Sequence, residues 1–169
     1  MNKYAAIEKI RGKLALRTPT LGSWMQLPNS SVAEIMGASG YDWVAIDLEH
    51  GSVSTCQLPD LFRAIELGGT LPLVRLADGS AQGCKASLDA GAGGVIIPMV
   101  ESASQLELTR ARCCWPPSGS RGVAFSRANH FGKQFDEYLQ EAQSPIIIAM
   151  IESNDGLKNI NEILEVPGL

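Results

Sequence analysis

Apolar residues gather into five short runs separated by longer amphipathic stretches: Leu21 to Leu27, Trp43 to Leu48, Leu71 to Leu76, Gly94 to Val100 and Ile146 to Ile151. Runs of this length, bounded by glycine, proline and polar residues, read as buried strands. Helix signals fill the stretches between them. Ser31-Val32-Ala33-Glu34 and Ser54-Thr55-Cys56-Gln57 have capping-box spacing, and Gly40 and Gly68 stand where each helix would stop. Leu58, Leu61, Phe62 and Ile65 form one apolar stripe, and Leu157, Ile160, Ile163 and Leu164 form another before Pro167-Gly168. Ser102 to Cys114 predicts a helix closed by Pro116-Pro117, Ser118 to Gly132 a long polar loop, and Phe135 to Ala142 a short helix. Gly91-Ala92-Gly93-Gly94 precedes a strand, so it reads as a tight turn; phosphate-cradling glycines follow a strand and open a helix. No exact repeat or linker divides the chain. The alternation predicts one α/β domain over residues 1–169, either an open doubly wound sheet or a closed (β/α)8 barrel.

Both architectures collect functional groups at the carboxyl ends of the strands, so side-chain parity matters. Successive residues of a strand face opposite sides. Ala45 and Asp47 therefore share one face, while Val44, Ile46 and Leu48 share the face suited to packing under helices. By the same count Leu73 and Arg75 point together, as do Ile148, Met150 and Glu152. Asp47, Arg75 and Glu152 converge on one mouth, with His50 just beyond in Asp47-Leu48-Glu49-His50. One charge at a strand end is ordinarily a solvated edge residue. Three of them from three strands, with one of only two histidines alongside, point to chemistry.

Composition removes several classes. Of 169 residues 45% are hydrophobic, enough for a core, and 14 basic side chains face 18 acidic ones, net −4. No basic run tracks a phosphate backbone, so no nucleic acid is expected. No apolar run approaches the ~20 residues that cross a bilayer. Met1 to Arg17 interleaves Lys3, Glu8, Lys9, Arg11 and Lys13 with apolar residues, unlike a secretory signal. No membrane association and a cytoplasmic address are expected. Cys56, Cys84, Cys113 and Cys114 lack C-x-x-C spacing and read as reduced thiols.

Carboxylates offer hard oxygen ligands for Mg²⁺ or Mn²⁺, an arginine forks around a planar carboxylate, and a histidine accepts a proton. Together they suit a 2-oxo acid. A divalent ion chelated by its carboxylate and carbonyl oxygens would stabilise the enolate formed when C3 loses a proton, and that enolate can attack an aldehyde. A Schiff-base route needs a lysine at a strand end, yet Lys3, Lys9, Lys13, Lys85, Lys133 and Lys158 lie in terminal, helical or loop segments.

These residues resemble the metal-dependent pyruvate aldolases of the HpcH/HpaI type. The likeness spans essentially the whole chain: Gly22-Ser23-Trp24, Gly40-Tyr41-Asp42-Trp43 running to Asp47-Leu48-Glu49-His50-Gly51, Pro72-Leu73-Val74-Arg75, Leu88-Asp89-Ala90-Gly91-Ala92, Pro98-Met99-Val100-Glu101, Pro116-Pro117 through Gly119-Ser120-Arg121-Gly122, and Ile151-Glu152-Ser153. It implies a TIM barrel of the phosphoenolpyruvate/pyruvate type, represented by its first five or so βα units. It implies a class II aldolase, a carbon–carbon lyase that reversibly cleaves a 4-hydroxy-2-oxo acid into pyruvate and an aldehyde through a metal-stabilised enolate. The implied cofactor is Mg²⁺ or Mn²⁺, with Co²⁺ a further candidate, and the implied assembly is a homo-oligomer, hexameric in relatives. By matching motif His50 is the general base or proton relay, Arg75 holds the pyruvate oxygens, Glu152 binds the metal, and Asp89 hydrogen-bonds His50 and raises its basicity. Independently, Asp89 sits at a helix carboxyl end, where the dipole disfavours negative charge; the plain reading is a loop cap.

Asp47 and Glu49 position His50 or metal-bound water, with their roles left open. Met150 stands where several relatives carry glutamine near the substrate. Arg121 reads as shaping the mouth, as a subunit contact or as a plain loop residue; His130 as a surface or interface residue; and Trp24 as lining the mouth or, the plainer account, as an inward-facing core aromatic. One departure stands out: the second metal carboxylate is expected as an aspartate directly after a Gly-Val or Gly-Leu pair, and the chain ends at Gly168-Leu169. The expectation is a barrel truncated at its carboxyl terminus, with unpaired sheet edges and little aldolase activity by itself. An acyl-CoA lyase of the citrate or malyl type and a non-catalytic truncated scaffold remain alternatives.

Overall fold

Each of the five apolar runs contains a strand: β1 (Gly22–Met25), β2 (Trp43–Asp47), β3 (Leu71–Arg75), β4 (Gly94–Ile97) and β5 (Ile146–Ala149). In the computed structural model, which describes residues 1–169, they form one parallel sheet in the order β1-β2-β3-β4-β5. Sequential order separates the two architectures left open by the alternation. A doubly wound sheet reverses direction at a switch point, whereas barrel strands follow one another around a ring. No reversal occurs here.

Eight helices accompany the sheet: α1 (Lys3–Ala15), α2 (Ser30–Ala38), α3 (Leu58–Leu67), α4 (Ala81–Ala90), α5 (Ala103–Cys113), α6 (Phe135–Gln143), α7 (Asn154–Lys158) and α8 (Ile160–Leu164). Two start signals are realised as read. Ser54 and Gln57 close a capping box on the 3-10 turn that leads into α3, and the Ser102 hydroxyl accepts the Gln105 N–H at the head of α5. The box expected at Ser31 and Glu34 does not form. Asn29 caps α2 instead, its Oδ1 accepting the N–H groups of Ser31 and Val32 at 3.0 and 3.1 Å, so the helix begins two residues earlier. The stripe from Leu157 to Leu164 is not one helix either. It breaks at Asn159, whose Nδ2 donates to the Glu101 carbonyl at 2.8 Å, and only Ile163 of the two helices' apolar side chains is fully buried.

Parity sorts the interior into two layers. Val44, Ile46, Val74, Val95, Ile97 and Ile147 pack outward against Leu58, Leu61, Phe62 and Ile65 of α3 and against the other covering helices. Ala45, Leu71, Leu73, Ile96 and Ile146 point to the opposite side, where Ile7 and Ile10 of α1 cover them and Ile148 and Met150 pack alongside. α1 thus sits on the inner face of the sheet. All four cysteines are free thiols, and no helix is long and apolar enough to cross a membrane.

The tightest helix contact is between α2 and α3. A Cβ on Gly37 would lie 2.5 Å from the Ile65 carbonyl oxygen, and one on Gly68 would lie 2.2 Å from the Gly37 backbone. Backbone cannot yield as a side-chain tip can, so Gly37→Ala must pry the helices apart. It is expected to lower stability by ~1–3 kcal/mol, read by chemical denaturation; an unchanged midpoint would show that the helices separate freely.

Candidate active site

Asp47 ends β2 and Arg75 ends β3, and the two are register partners on the inner face. Asp47 is 0% exposed. Its Oδ1 accepts Arg75 Nε at 2.9 Å, and its Oδ2 accepts Arg75 Nη2 and, at 2.8 Å, Gln26 Nε2. The same Oδ1 also accepts the backbone N–H groups of Glu49 and His50 at 3.0 and 3.1 Å. Burial alone would push this carboxyl up; the Arg75 fork, Gln26 and the two amides outweigh it and hold the group well below the usual carboxylate range. Asp47 therefore does two jobs: it neutralises a buried guanidinium, and it folds the turn that carries Glu49 and His50.

Arg75 is held on several sides. Its Nη1 lies 3.1 Å from Glu49 Oε2, and its guanidinium lies over the Trp24 ring, 4.9 Å from the centroid. The Asp47 hydrogen bond and the charges of Asp47, Glu49 and Glu152 raise its already high pKa. A guanidinium has five N–H donors. Asp47 takes one each on Nε and Nη2, and Glu49 Oε2 stands 3.1 Å from Nη1 without accepting an aligned hydrogen bond, which leaves the N–H groups of Nη1 and one on Nη2 for a ligand.

The remaining groups come from the loop after β2 and from beyond β5. The His50 ring is exposed, with Nε2 3.9 Å from Glu49 Oε2. Glu152 stretches to β4, its Oε2 accepting the Met99 N–H at 3.0 Å. Met99 adopts a left-handed backbone, φ 51°, a conformation that costs a non-glycine residue about 1–2 kcal/mol. Its carbonyl accepts Gln105 Nε2 at 3.0 Å, which fixes the amide that holds Glu152. Met150 is half-buried on the inner layer, next to the mouth. His50, Asp47, Arg75 and Glu152 thus gather at one end of the sheet.

Gln26, missed by the sequence reading, and Trp24, for which lining the mouth is the less favoured reading, belong here. Gln26 follows β1, and Trp24 pairs with Ala45 in the register, so both face inward by the parity applied to the other strands. Trp24 is not a core aromatic: it is 43% exposed, and Arg75 is its partner.

Asp89 is elsewhere. α4 runs antiparallel to the strands, so its last turn lies at their amino ends, roughly a strand length or ~15 Å from His50. Asp89 faces Arg121 at 3.9 Å, and Arg121 donates to Tyr138 Oη at 2.9 Å. Burial raises Asp89 above the ordinary carboxylate range despite Arg121 and Lys85. Within one chain the expected Asp89–His50 hydrogen bond is absent. Arg121 shapes this far end rather than the mouth, and it is buried, unlike the exposed His130.

No group of three His, Cys, Asp or Glu side chains is arranged to hold a metal ion. The mouth does offer one hard donor. Glu152 is the carboxylate there that is not committed to Arg75 by contact, and Mg²⁺ commonly binds through one or two carboxylates, completing its shell with water and substrate oxygens. The donor chemistry fits a divalent ion in that manner.

Residues 20–169 match the family described as HpcH/HpaI aldolase/citrate lyase. The hydroxypyruvate/pyruvate aldolase of Roseobacter denitrificans is 36% identical over 170 residues, covering 98% of this chain and 65% of that protein. The 2-keto-3-deoxy-L-rhamnonate aldolase of Salmonella gallinarum is 38% identical over 152 residues, covering 88% and 57%. Among solved structures, an HpcH/HpaI aldolase from Desulfitobacterium hafniense superposes with a TM-score of 0.84 at 29% identity, covering 95% of this chain and 63% of that one. A family protein from Burkholderia cenocepacia gives 0.82 at 32% identity, covering 89% and 62%. The chain spans roughly three fifths to two thirds of the length of these relatives.

The buried ion pair makes a stability prediction. Asp47→Asn leaves Arg75 largely buried without its main counter-charge and is expected to cost about 3 kcal/mol. Because folding lowers the Asp47 pKa, the stability it contributes is fully present above about pH 4, the ordinary aspartate value, and is lost as pH falls below it. Denaturation between pH 7 and pH 3 should therefore show a gap between wild type and Asp47→Asn that narrows with acid; a constant gap would contradict the assignment.

Proposed function

Because the chain belongs to the HpcH/HpaI aldolase/citrate lyase family, we propose that it serves a class II aldolase that cleaves a 4-hydroxy-2-oxo acid to pyruvate and an aldehyde, and runs the reverse condensation. The observation that carries this reading is Arg75. It is a buried cation with uncommitted N–H groups on both terminal nitrogens, at the carboxyl end of a sequentially ordered parallel sheet, with His50 and Glu152 at the same mouth. Fork-shaped donors match the planar oxygens of a 2-oxo acid.

In this reading Arg75 binds and orients those oxygens and stabilises the negative charge that develops when C3 loses its proton. His50, exposed at the rim on a turn pinned by Asp47, takes that proton and returns it. Asp47 and Gln26 keep the guanidinium in place. Glu152 would hold a divalent ion, Mg²⁺ or Mn²⁺, which when bound supplies electron withdrawal from the oxo acid. Met150 lines the substrate side from β5's end. The exposed rings of Phe125 and Phe131, on the loop before α6, support a homo-oligomeric assembly.

Pyruvate C3 proton exchange in D2O, followed by NMR, tests the reading together with pyruvate release from a 4-hydroxy-2-oxo acid. His50→Ala is expected to slow exchange by ~10²–10⁴-fold. Chelating divalent ions should abolish it, and Mg²⁺ or Mn²⁺ should restore it. Exchange by the enzyme that survives both treatments would refute the proposal, and turnover of acyl-CoA substrates in place of the oxo acid would redirect it.

A further inference from the structure

Gln26 does more at the mouth than fill a lone pair of Asp47. Its Nε2 donates to Asp47 Oδ2 at 2.8 Å, and Arg75 Nη2 donates to the same oxygen, so carboxamide and guanidinium stand side by side. Its backbone is joined to the turn that carries His50. The Gln26 carbonyl accepts the Ser52 N–H at 3.2 Å, and a Cβ on Gly51 would lie 3.4 Å from Gln26 Cα. Gln26 therefore bridges the group that holds the oxo acid and the segment that bears the base. When the oxo acid rests on Arg75 with C3 turned toward His50, whatever C3 carries lies against this bridge.

The chemistry of an amide says what such a substituent should be. A carboxamide has two N–H donors and a carbonyl acceptor. Asp47 takes one N–H, and one donor and the acceptor remain at the exposed rim. The other side chains gathered at the mouth lack this pair: Arg75 and Trp24 only donate, Glu152 as a carboxylate and the Met150 thioether only accept, and the His50 nitrogens handle the proton. A hydroxyl both donates and accepts, whereas a hydrogen or a methyl does neither. We infer that Gln26 is a specificity-determining residue that selects a hydroxyl on C3 of the nucleophile, its N–H donating to the hydroxyl oxygen and its Oε1 accepting the hydroxyl hydrogen. This deepens the aldolase reading and rests on it. The bond-making step keeps its balance: His50 takes the C3 proton, the C–H electron pair stays on the oxo acid as its enolate, and C3 attacks the aldehyde carbon, whose oxygen gains a proton. The product then carries hydroxyls on both C3 and C4.

Two measurements test it. Hydroxypyruvate and 2-oxobutyrate differ by a hydroxyl against a methyl at nearly the same size, so the ratio of their kcat/KM values with one aldehyde isolates the hydroxyl. Gln26→Met, similar in length but without the amide, should lower that ratio about 2–10-fold, the worth of one hydrogen bond. Loosening of the Asp47–Arg75 pair slows both acids alike and leaves the ratio where it was. Both rates reduced at an unchanged ratio would confine Gln26 to holding Asp47 and end the proposal. The second measurement needs no turnover. With Mg²⁺ present, the ¹⁵N–¹H signals of the Gln26 carboxamide, identified as the pair lost in Gln26→Met, should shift more with hydroxypyruvate than with 2-oxobutyrate. Equal shifts, or none with either acid, would overturn the inference. A selective shift without C3 proton exchange would fail the aldolase reading alone, and exchange without a selective shift would fail this inference alone.

Discussion

The mouth of this sheet is organised around one electrostatic problem, a carboxylate and a guanidinium removed from water together. An ion pair in a low-dielectric interior repays its desolvation only when geometry is good and every remaining donor and acceptor is met. Here Arg75 forks onto Asp47, Gln26 and two amides fill the other lone pairs, and Trp24 covers the guanidinium. Solving it recruits the end of β1, the ends of β2 and β3, and the turn after β2. The shape of the site is thus the shape of the shell that keeps Arg75 charged and in place.

The opposite end of the strands solves a different problem. Lys3 pairs with Glu141 at 3.0 Å and lies over Tyr138, Arg121 reaches Tyr138 and Asp89, and Arg127 pairs with Glu66 at 2.8 Å. Burial raises Glu141 and Asp89 and pushes the Tyr138 hydroxyl up to about 12. These groups tie α1, α4 and α6 together under the sheet. Barrel folds commonly divide labour in this way, with chemistry at one rim and cohesion at the other.

What the sequence disclosed follows from which signals are local. Strand runs and two-residue parity are local, so Asp47, Arg75 and Glu152 could be placed at one mouth without coordinates. Parity held equally for β1, and applying it there would have brought in Gln26 beside the inward-facing Trp24. α1 escaped notice because it has no stripe: only Ile7 and Ile10 are buried, since it covers the inner layer instead of lying along an outer groove. Asn29 displaced the Ser31 cap because its amide oxygen holds the N–H groups of Ser31 and Val32, which starts the helix before Ser31. The Asp89–His50 contact came from motif matching, which carries no distance; the antiparallel course of α4 separates the two within a chain.

Glu152 is anchored not by its own strand but by an amide of the neighbouring unit, presented by the left-handed backbone at Met99. The would-be ion ligand is therefore borrowed across β4, and its aim depends on a kink made by a residue that supplies no functional side chain. Sequence drift at position 99 can retune this corner of the mouth through the peptide alone, while every acidic and basic group stays unchanged.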